Sequence, residues 1–592
     1  MRKETVFKIM ALLLPLVFLV ILELVLRLAN LFPRPPLFLE NKEDNLVTIN
    51  SDIGERYFNK KSVPVPNLYP QTFTLKKNQS TFRIFCLGGS TTAGFPYEMT
   101  VPFPQQLKFM LEDNYPDFQF EVINLGLSAV NSFTVWDWMP EVIRYDPDLV
   151  LIYMGHNEFY GALGAASSIS IGKNGGFSRF MLKLQKIRLV NGMTSLARAF
   201  QPDRISSMDI TLMEKIVREK NIALNSKIRA RTYRNFEINL ELILEKLAKN
   251  HIPVVMGNLV CNLKDQPPLD QKTALFEAAT AAGSPESLSI FIEARDKDEV
   301  PFRAPSRINE IITDVSRQKG VPLTDIFSAF ARNSQYGIPG DTLFCDHLHP
   351  NPRGYHLMAG EFFQALQPFL PENVNINLSK KPKYVTQLDW EIGGLRVFKL
   401  EKKWPFYNQE KKYQGSFGPG HEKLIEIAED FLVNHHIWGK AHSDLAAYYE
   451  SINEHDAACR EYEAIVAMYP EKLDYHLKLI DAAKRAKGWS VMEKTATRAL
   501  ALTSVKGMLF YNIALAQRNM GRFEDAYHNL EKSLGTRQLS HDQLAYVFYL
   551  KALVLTDIRE YEEAVKILNV ILEEAPDFEA ARLLKEEIIQ RR

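Results

Sequence analysis

Four short segments carry residue types that do chemistry. Leu87-Gly88-Gly89-Ser90-Thr91-Thr92-Ala93-Gly94 sets a serine at the tip of a turn that two glycines permit. Asn124-Leu125-Gly126-Leu127-Ser128-Ala129-Val130-Asn131-Ser132 and Gly155-His156-Asn157-Glu158 follow, and Asp346-His347-Leu348-His349-Pro350-Asn351-Pro352 lies far downstream. A serine hydroxyl is a poor nucleophile at neutral pH and needs an adjacent base. A histidine is such a base, and a carboxylate holds its tautomer and stabilises the imidazolium. These residue types suit acyl transfer through a serine. Each segment alone is ordinary, since Gly-Ser turns are common. The GxSxG spacing of an α/β-hydrolase elbow is absent, because position 92 is threonine.

The elements that must position them are legible. Phe82–Leu87, Phe118–Ile123, Leu149–Met154, Ile252–Met256 and Val321–Thr324 are short apolar runs rich in β-branched and aromatic residues. Helical stretches such as Phe103–Asn114 and Tyr233–Asn250 lie between them. Strands alternating with helices predict a parallel, doubly wound sheet covered on both faces. In such sheets functional groups collect beyond the carboxyl ends of the strands. The four segments occur there, in this order. Asn351 reads as a helix N-cap with Pro352 at the first helical position, which fixes the loop bearing His349.

Together the four segments resemble those of the SGNH (GDSL-like) serine hydrolases, over about residues 80–370. The resemblance implies a three-layer α/β, flavodoxin-like hydrolase domain with a parallel sheet. It implies Ser90 as nucleophile, and Asp346 and His349 as its partners in the family's DxxH pair. It implies Asn157 as an oxyanion donor, here in G-H-N-E rather than G-x-N-D. The Ser90 backbone amide is a further donor. The family's oxyanion glycine falls at Ala129, with Gly126 as the alternative. A backbone N–H donates whatever the side chain, provided the turn permits the φ of Ala129.

Other assignments stand beside these. A pairing of His347 and His349 as metal ligands is the alternative, but no third ligand is evident; no metal and no cofactor is expected. His156 is either structural or a substrate contact. Arg303 is either a salt-bridge residue or a carboxylate-binding one. Cys86 and Cys345 read as buried core thiols.

Ile9–Leu26 is apolar except for Glu23 and is 18 residues long, near the lower limit for spanning a bilayer. Arg2, Lys3 and Lys8 precede it, which favours a cytoplasmic N-terminus. No small-residue cleavage site follows, so it reads as one uncleaved transmembrane signal anchor. Four cysteines without a CxxC pair are neither a disulfide framework nor a zinc ribbon. Lys+Arg and Asp+Glu number 71 each, which argues against a nucleic-acid partner.

From about residue 440 the chain is all-helical in pattern. Ala446, Ala458 and Pro470 are spaced by twelve, as are Ala552, Ala564 and Pro576; Ala514 and Ala526 share the interval. Small residues there let two helices of a hairpin approach, and the proline ends the second. This resembles tetratricopeptide repeats, with three clear units and a degenerate one around Leu473–Thr503. Such arrays usually bind a partner chain.

The expected organisation is an anchor over 1–32, a linker with some docking over 33–80, and a hydrolase domain over 81–375. A basic helical insert at 165–227 serves as a cap, a membrane-surface arm or a solvated face. A linker at 376–439 and repeats over 440–592 complete the chain. The expected function is a bacterial inner-membrane, single-pass esterase. Its hydrolase and repeat domains face the periplasm or exterior, and it acts on O-acyl groups of an envelope glycan or lipid. An O-acyltransferase, or an assembly scaffold with an inert hydrolase fold, is the alternative.

Overall fold

The computed structural model describes residues 2–170, 174–200, 212–372, 375–407, 410, 412–418, 420–434 and 436–591. Parts of the 165–227 insert, residues 171–173 and 201–211, lie outside the described residues. The chain divides into two compact units, residues 1–383 with 389–418, and residues 384–388 with 419–592.

The first unit begins with α1 (Arg2–Leu28). Phe7, Leu14, Phe18 and Val20 on this helix are all more than half exposed. No helix among the described residues is long and apolar enough to cross a membrane. The transmembrane span expected at Ile9–Leu26 is therefore not borne out, and the side chains of Ile9 and Leu12 lie outside the described residues.

Residues 33–80 hold more structure than a linker. Strands β1 (Phe38–Asn41), β2 (Leu46–Ile49) and β3 (Thr72–Thr74) form a small antiparallel sheet. Phe38 and Phe73 pack edge-on against each other and against Tyr145.

The central sheet is parallel. β4 (Thr81–Gly88), β5 (Gln119–Gly126), β6 (Leu149–Tyr153), β7 (Val254–Gly257) and β8 (Leu323–Thr324) lie in the order β5-β4-β6-β7-β8. The strands match the predicted apolar runs to within a few residues. Every residue of β6 and β7 is buried, which is why these runs are continuously apolar rather than alternating. α2 (Ser90–Ala93), α3 (Phe103–Asn114) and α4 (Ser132–Ile143) follow the first two strands. Arg34 and Tyr57 both bond the buried Asp137 of α4, each at 2.6 Å. This ties residues 33–80 to the hydrolase layer.

The insert forms α5 (Gly175–Leu184) and α6 (Arg188–Ala199). Residues 389–418, expected in a linker, belong to the first unit. Its Trp404 packs on Phe302 and its Phe406 on His347, at ring separations of 5.6 and 5.1 Å.

The second unit is all-helical. Four hairpins occur in sequence: Trp438–Ser451 with His455–Met468, Leu473–Arg485 with Trp489–Ala499, Gly507–Asn519 with Phe523–Gly535, and His541–Asp557 with Tyr561–Glu574. Ala446, Ala458, Ala514, Ala526, Ala552 and Ala564 are all completely buried. A larger side chain at these crossings would force the helices apart, which explains the spacing of twelve. The degenerate stretch at Leu473–Thr503 is thus a full hairpin, built on Ala482, Ala483, Ala496 and Ala499.

Candidate active site

Ser90 opens α2 directly after β4, with Gly89 as its N-cap. Close packing of α2 over the strand ends needs glycine at two places. A Cβ on Gly88 would stand 2.2 Å from the Tyr153 carbonyl oxygen, and one on Gly126 would stand 2.0 Å from the Ala93 amide nitrogen. Gly126→Ala is expected to destabilise the hydrolase unit by roughly 3 kcal/mol, because the clash is with backbone that cannot swing away. Gly360 lies within the helix Pro352–Leu366, where an added Cβ meets nothing within 4 Å. Gly360→Ala is expected to be neutral or to stabilise by up to about 1 kcal/mol. Thermal midpoints of the two variants check this contrast.

Segments 259 residues apart converge at Ser90 and His349. Its Oγ lies 2.7 Å from His349 Nε2, and His349 Nδ1 lies 2.7 Å from Asp346 Oδ2. Asp346 Oδ1 accepts from the backbone amides of Leu348 and His349, at 2.9 and 2.7 Å. Burial pushes the Asp346 carboxyl up, but the His349 and His347 imidazoles outweigh it and hold the group well below the usual carboxylate range. Asp346 is thus an anion placed to orient His349. Asn351 caps the helix Pro352–Leu366, accepting from the amides of Arg353 and Gly354. From that helix the Tyr355 hydroxyl donates to the Phe95 carbonyl at 2.7 Å, and the Phe95 ring packs 4.7 Å from the His349 ring.

The oxyanion candidates separate. Gly126 already donates its amide to Asn124 Oδ1 at 2.9 Å, which leaves nothing for a substrate. Ala129 is buried and has φ of 58°. That left-handed backbone suits glycine, and an alanine there costs roughly 1 kcal/mol. The turn therefore does permit the required φ. Asn157 Nδ2 stands 2.8 Å from the position of a Cβ on Gly89, beside the Ser90 turn.

Glu158, where the family pattern has aspartate, is buried. It accepts from the Ser132 amide and hydroxyl at 2.9 and 2.7 Å, at the first turn of α4. Asn239 donates to the same hydroxyl at 2.9 Å. Burial pushes the Glu158 carboxyl up to about 7, against the opposing pull of the Ser132 hydrogen bonds. A raised acid favours the folded state below its unfolded value, and that stability is lost as pH rises to about 7. Wild type should therefore lose up to about 3 kcal/mol between about pH 4.5 and 7 through this group. Glu158→Gln removes that loss, which thermal midpoints measured at pH 5 and pH 8 will read.

His156 and Arg303 are both buried. His156 Nδ1 accepts from the Ala304 amide at 3.2 Å, and burial holds the ring neutral, with its acidity near pH 3. Arg303 donates to the carbonyls of Asn262 and Gln266 at 3.0 and 2.6 Å and lies 3.6 Å from Asp298. It thereby fixes Asn262, whose amide and Nδ2 bond the carbonyls of His347 and Asp346, at 3.1 and 3.2 Å. Arg303 thus acts on the histidine loop through Asn262. Asn262 was invisible in the sequence, since it belongs to no motif and follows β7 at some distance.

Ligand-type atoms of Asp346, His347 and His349 lie within 4.8 Å of one another. Both ring nitrogens of His349 are engaged, however, by Ser90 and Asp346. A metal would have to displace one of them. Cys86 is buried as expected, whereas Cys345 is only partly so. The Cys345 thiol lies 3.2 Å from the His349 carbonyl.

A cleft of about 10 Å³ adjoins the serine, lined by Gly89, Ser90, Val130, Tyr153, His156 and Asn157 among others. A larger cleft near Asn258, Arg295 and Asp325 contains none of these residues.

Residues 86–357 match the GDSL-like Lipase/Acylhydrolase family. No curated protein matches the chain. Among solved structures, a GDSL-like lipase from Bacteroides thetaiotaomicron is 13% identical, with a TM-score of 0.26, covering 49% of this chain and 89% of its own. An acetyl xylan esterase is 14% identical, with a TM-score of 0.27, covering 48% of this chain and all of its own. A TPR protein of Thermus thermophilus is 18% identical, with a TM-score of 0.22, covering 28% of this chain and 88% of its own. The match in which Ser90, Asn157, Asp346 and His349 all fall is the one to the family itself: residues 86–357 belong to the GDSL-like lipase/acylhydrolases, and the protein is a serine hydrolase acting on esters.

Proposed function

We propose that Ser90, His349 and Asp346 act as the catalytic triad of an esterase that removes short O-acyl groups from an envelope glycan or lipid. The carrying observation is the relay of two 2.7 Å contacts from Ser90 Oγ through the imidazole to Asp346. Ser90 Oγ attacks the ester carbonyl carbon while His349 Nε2 takes its proton. The carbonyl oxygen becomes an anion, stabilised by the amides of Ser90 and Ala129 and by Asn157 Nδ2. Collapse breaks the bond to the alcohol, which leaves with the proton from His349. Water then attacks the acyl-serine by the same steps in reverse. If a sugar hydroxyl takes the place of that water, the enzyme is an O-acyltransferase.

The small cleft supports a short acyl group, because its volume of about 10 Å³ is far below the roughly 300–1,000 Å³ of pockets that bury a drug-sized ligand. Labelling by a fluorophosphonate probe, with turnover of p-nitrophenyl acetate against p-nitrophenyl palmitate, tests the reading. Acetate should be strongly preferred. Palmitate turned over as fast as acetate would remove the short-chain assignment, and a folded chain that neither labels nor hydrolyses would remove the triad.

We propose further that α1 holds the chain to a bacterial inner membrane, with the hydrolase and repeat units facing the periplasm or exterior. The support is the apolar surface that α1 leaves exposed, Phe7, Leu14 and Phe18 included, together with the basic residues Arg2, Lys3 and Lys8. Extraction of the full chain and of residues 36–592 from membranes checks this: only the full chain should resist high salt. The repeat unit is proposed to recruit a protein partner, since hairpin arrays present extended binding surfaces.

A further inference from the structure

We propose that the insert helices α5 and α6 form an arm that seats on an anionic lipid surface at the foot of α1. The inference rests on the membrane reading above and gives the insert a purpose within it.

The arm is fastened to α1. Glu23 of α1 accepts from the amides of Arg188 and Leu189 at 3.0 and 2.9 Å, capping the first turn of α6. The Arg188 side chain donates to Asn30 Oδ1 and Asn191 to the Phe32 carbonyl, at 3.2 and 3.0 Å. The single charged residue inside the apolar stretch of α1 is therefore a helix cap supplied from another element. It also fixes α6 where the apolar surface of α1 ends.

Among the described residues, both helices leave an apolar face without a protein partner. Phe177 and Phe180, one turn apart on α5, are 47% and 53% exposed. Met193 and Leu196 on α6 and Phe200 just past its end recur at helical spacing and are 64%, 51% and 86% exposed. Their reverse sides are seated: Leu182 is buried, and a Cβ on Gly192 would lie 2.9 Å from the Phe32 ring.

Cations neighbour this surface along the chain: Lys183 follows Phe180 by three residues on α5, and Lys186 comes just after that helix. The Lys183 and Lys246 ammonium groups lie 5.7 and 4.5 Å from the same Trp136 ring. Among the described residues neither forms an ion pair with a carboxylate, and nor does Lys186. The nearby Asp137 is taken by Arg34 and Tyr57. Burial lowers the Lys246 ammonium to about 8, and the charges of Lys186 and Lys183 push it the same way, against Asp137. Aromatic and aliphatic side chains beside uncompensated lysines fit the acyl boundary and phosphates of an anionic bilayer. An acidic protein would satisfy the lysines and leave the phenylalanines in water.

The test uses the full chain with Ser195→Cys, an exposed position of α6, carrying a bimane label. The chain is added to vesicles of phosphatidylcholine alone, or with three parts in ten phosphatidylglycerol, each containing brominated lipid. The label should be quenched at least twofold more strongly in the anionic vesicles. Lys183→Glu with Lys186→Glu should weaken the arm's seating by at least about thirtyfold, the loss expected from removing two lysines, and abolish the difference. Phe177→Ser with Phe180→Ser should abolish quenching, while both variants still float with the vesicles through α1. A chain that floats with its label unquenched in either vesicle overturns the arm and leaves the anchor standing. A wild-type chain that does not float overturns both. Burial of the label that rises with protein concentration and ignores lipid assigns the face to a second copy of the chain and likewise overturns the proposal.

Discussion

Ser90→Ala is expected to abolish fluorophosphonate labelling and to lower p-nitrophenyl acetate turnover by about 10⁴- to 10⁶-fold. The probe forms its bond with Ser90 Oγ, so no label can attach without it. His349→Ala is expected to cost as much, because without a base the Ser90 hydroxyl keeps its proton. The double variant should be no worse than either single one, since groups that act as a unit lose their effect together. Asp346→Asn should cost about 10⁴-fold while leaving the fold intact, by presenting the wrong partner to His349 Nδ1. Its two backbone bonds, from Leu348 and His349 to Oδ1, can persist in the amide. The measurement is kcat alongside a circular dichroism spectrum of each variant. A Ser90→Ala chain that keeps a tenth of the activity would show that another nucleophile is at work.

Asn157→Ala is the second large effect. It removes a donor that matters only once the carbonyl oxygen carries charge. Turnover should fall by about 10²- to 10³-fold with little change in KM. Asn157→Asp should be at least as damaging, because a carboxylate cannot donate and would repel the oxyanion. Ala129 offers the complementary case. Its donor is backbone, so Ala129→Gly should keep activity while relieving the cost of φ at 58°. If Asn157→Ala raised KM and left kcat alone, Asn157 would be a substrate-binding group instead.

Much of this was legible in the chain. The apolar runs predicted the parallel sheet because strands buried on both faces must be continuously apolar. Ser90, Asn157, Asp346 and His349 were legible because acyl transfer admits few residue types and all four fall in segments that resemble those of one family. The repeats showed through Ala446, Ala458 and their counterparts because helix crossings tolerate no larger side chain.

What the tertiary structure decided was partnership. Arg303 carries a charge that sequence cannot aim, and the fold turns it onto the carbonyls of Asn262 and Gln266. Gly126 and Ala129 were both open until Asn124 was seen to occupy the Gly126 amide. Asn262 and the segment at Trp404 and Phe406 carry no local signal, and Glu158, though it closes the G-H-N-E segment, shows no role there, because their roles arise from neighbours tens to hundreds of residues away. Glu23 reads as a blemish in an apolar run. Only the packing of α6 against residues 23–32 shows it to be a cap, because a charge is tolerated there when donors from another element satisfy it.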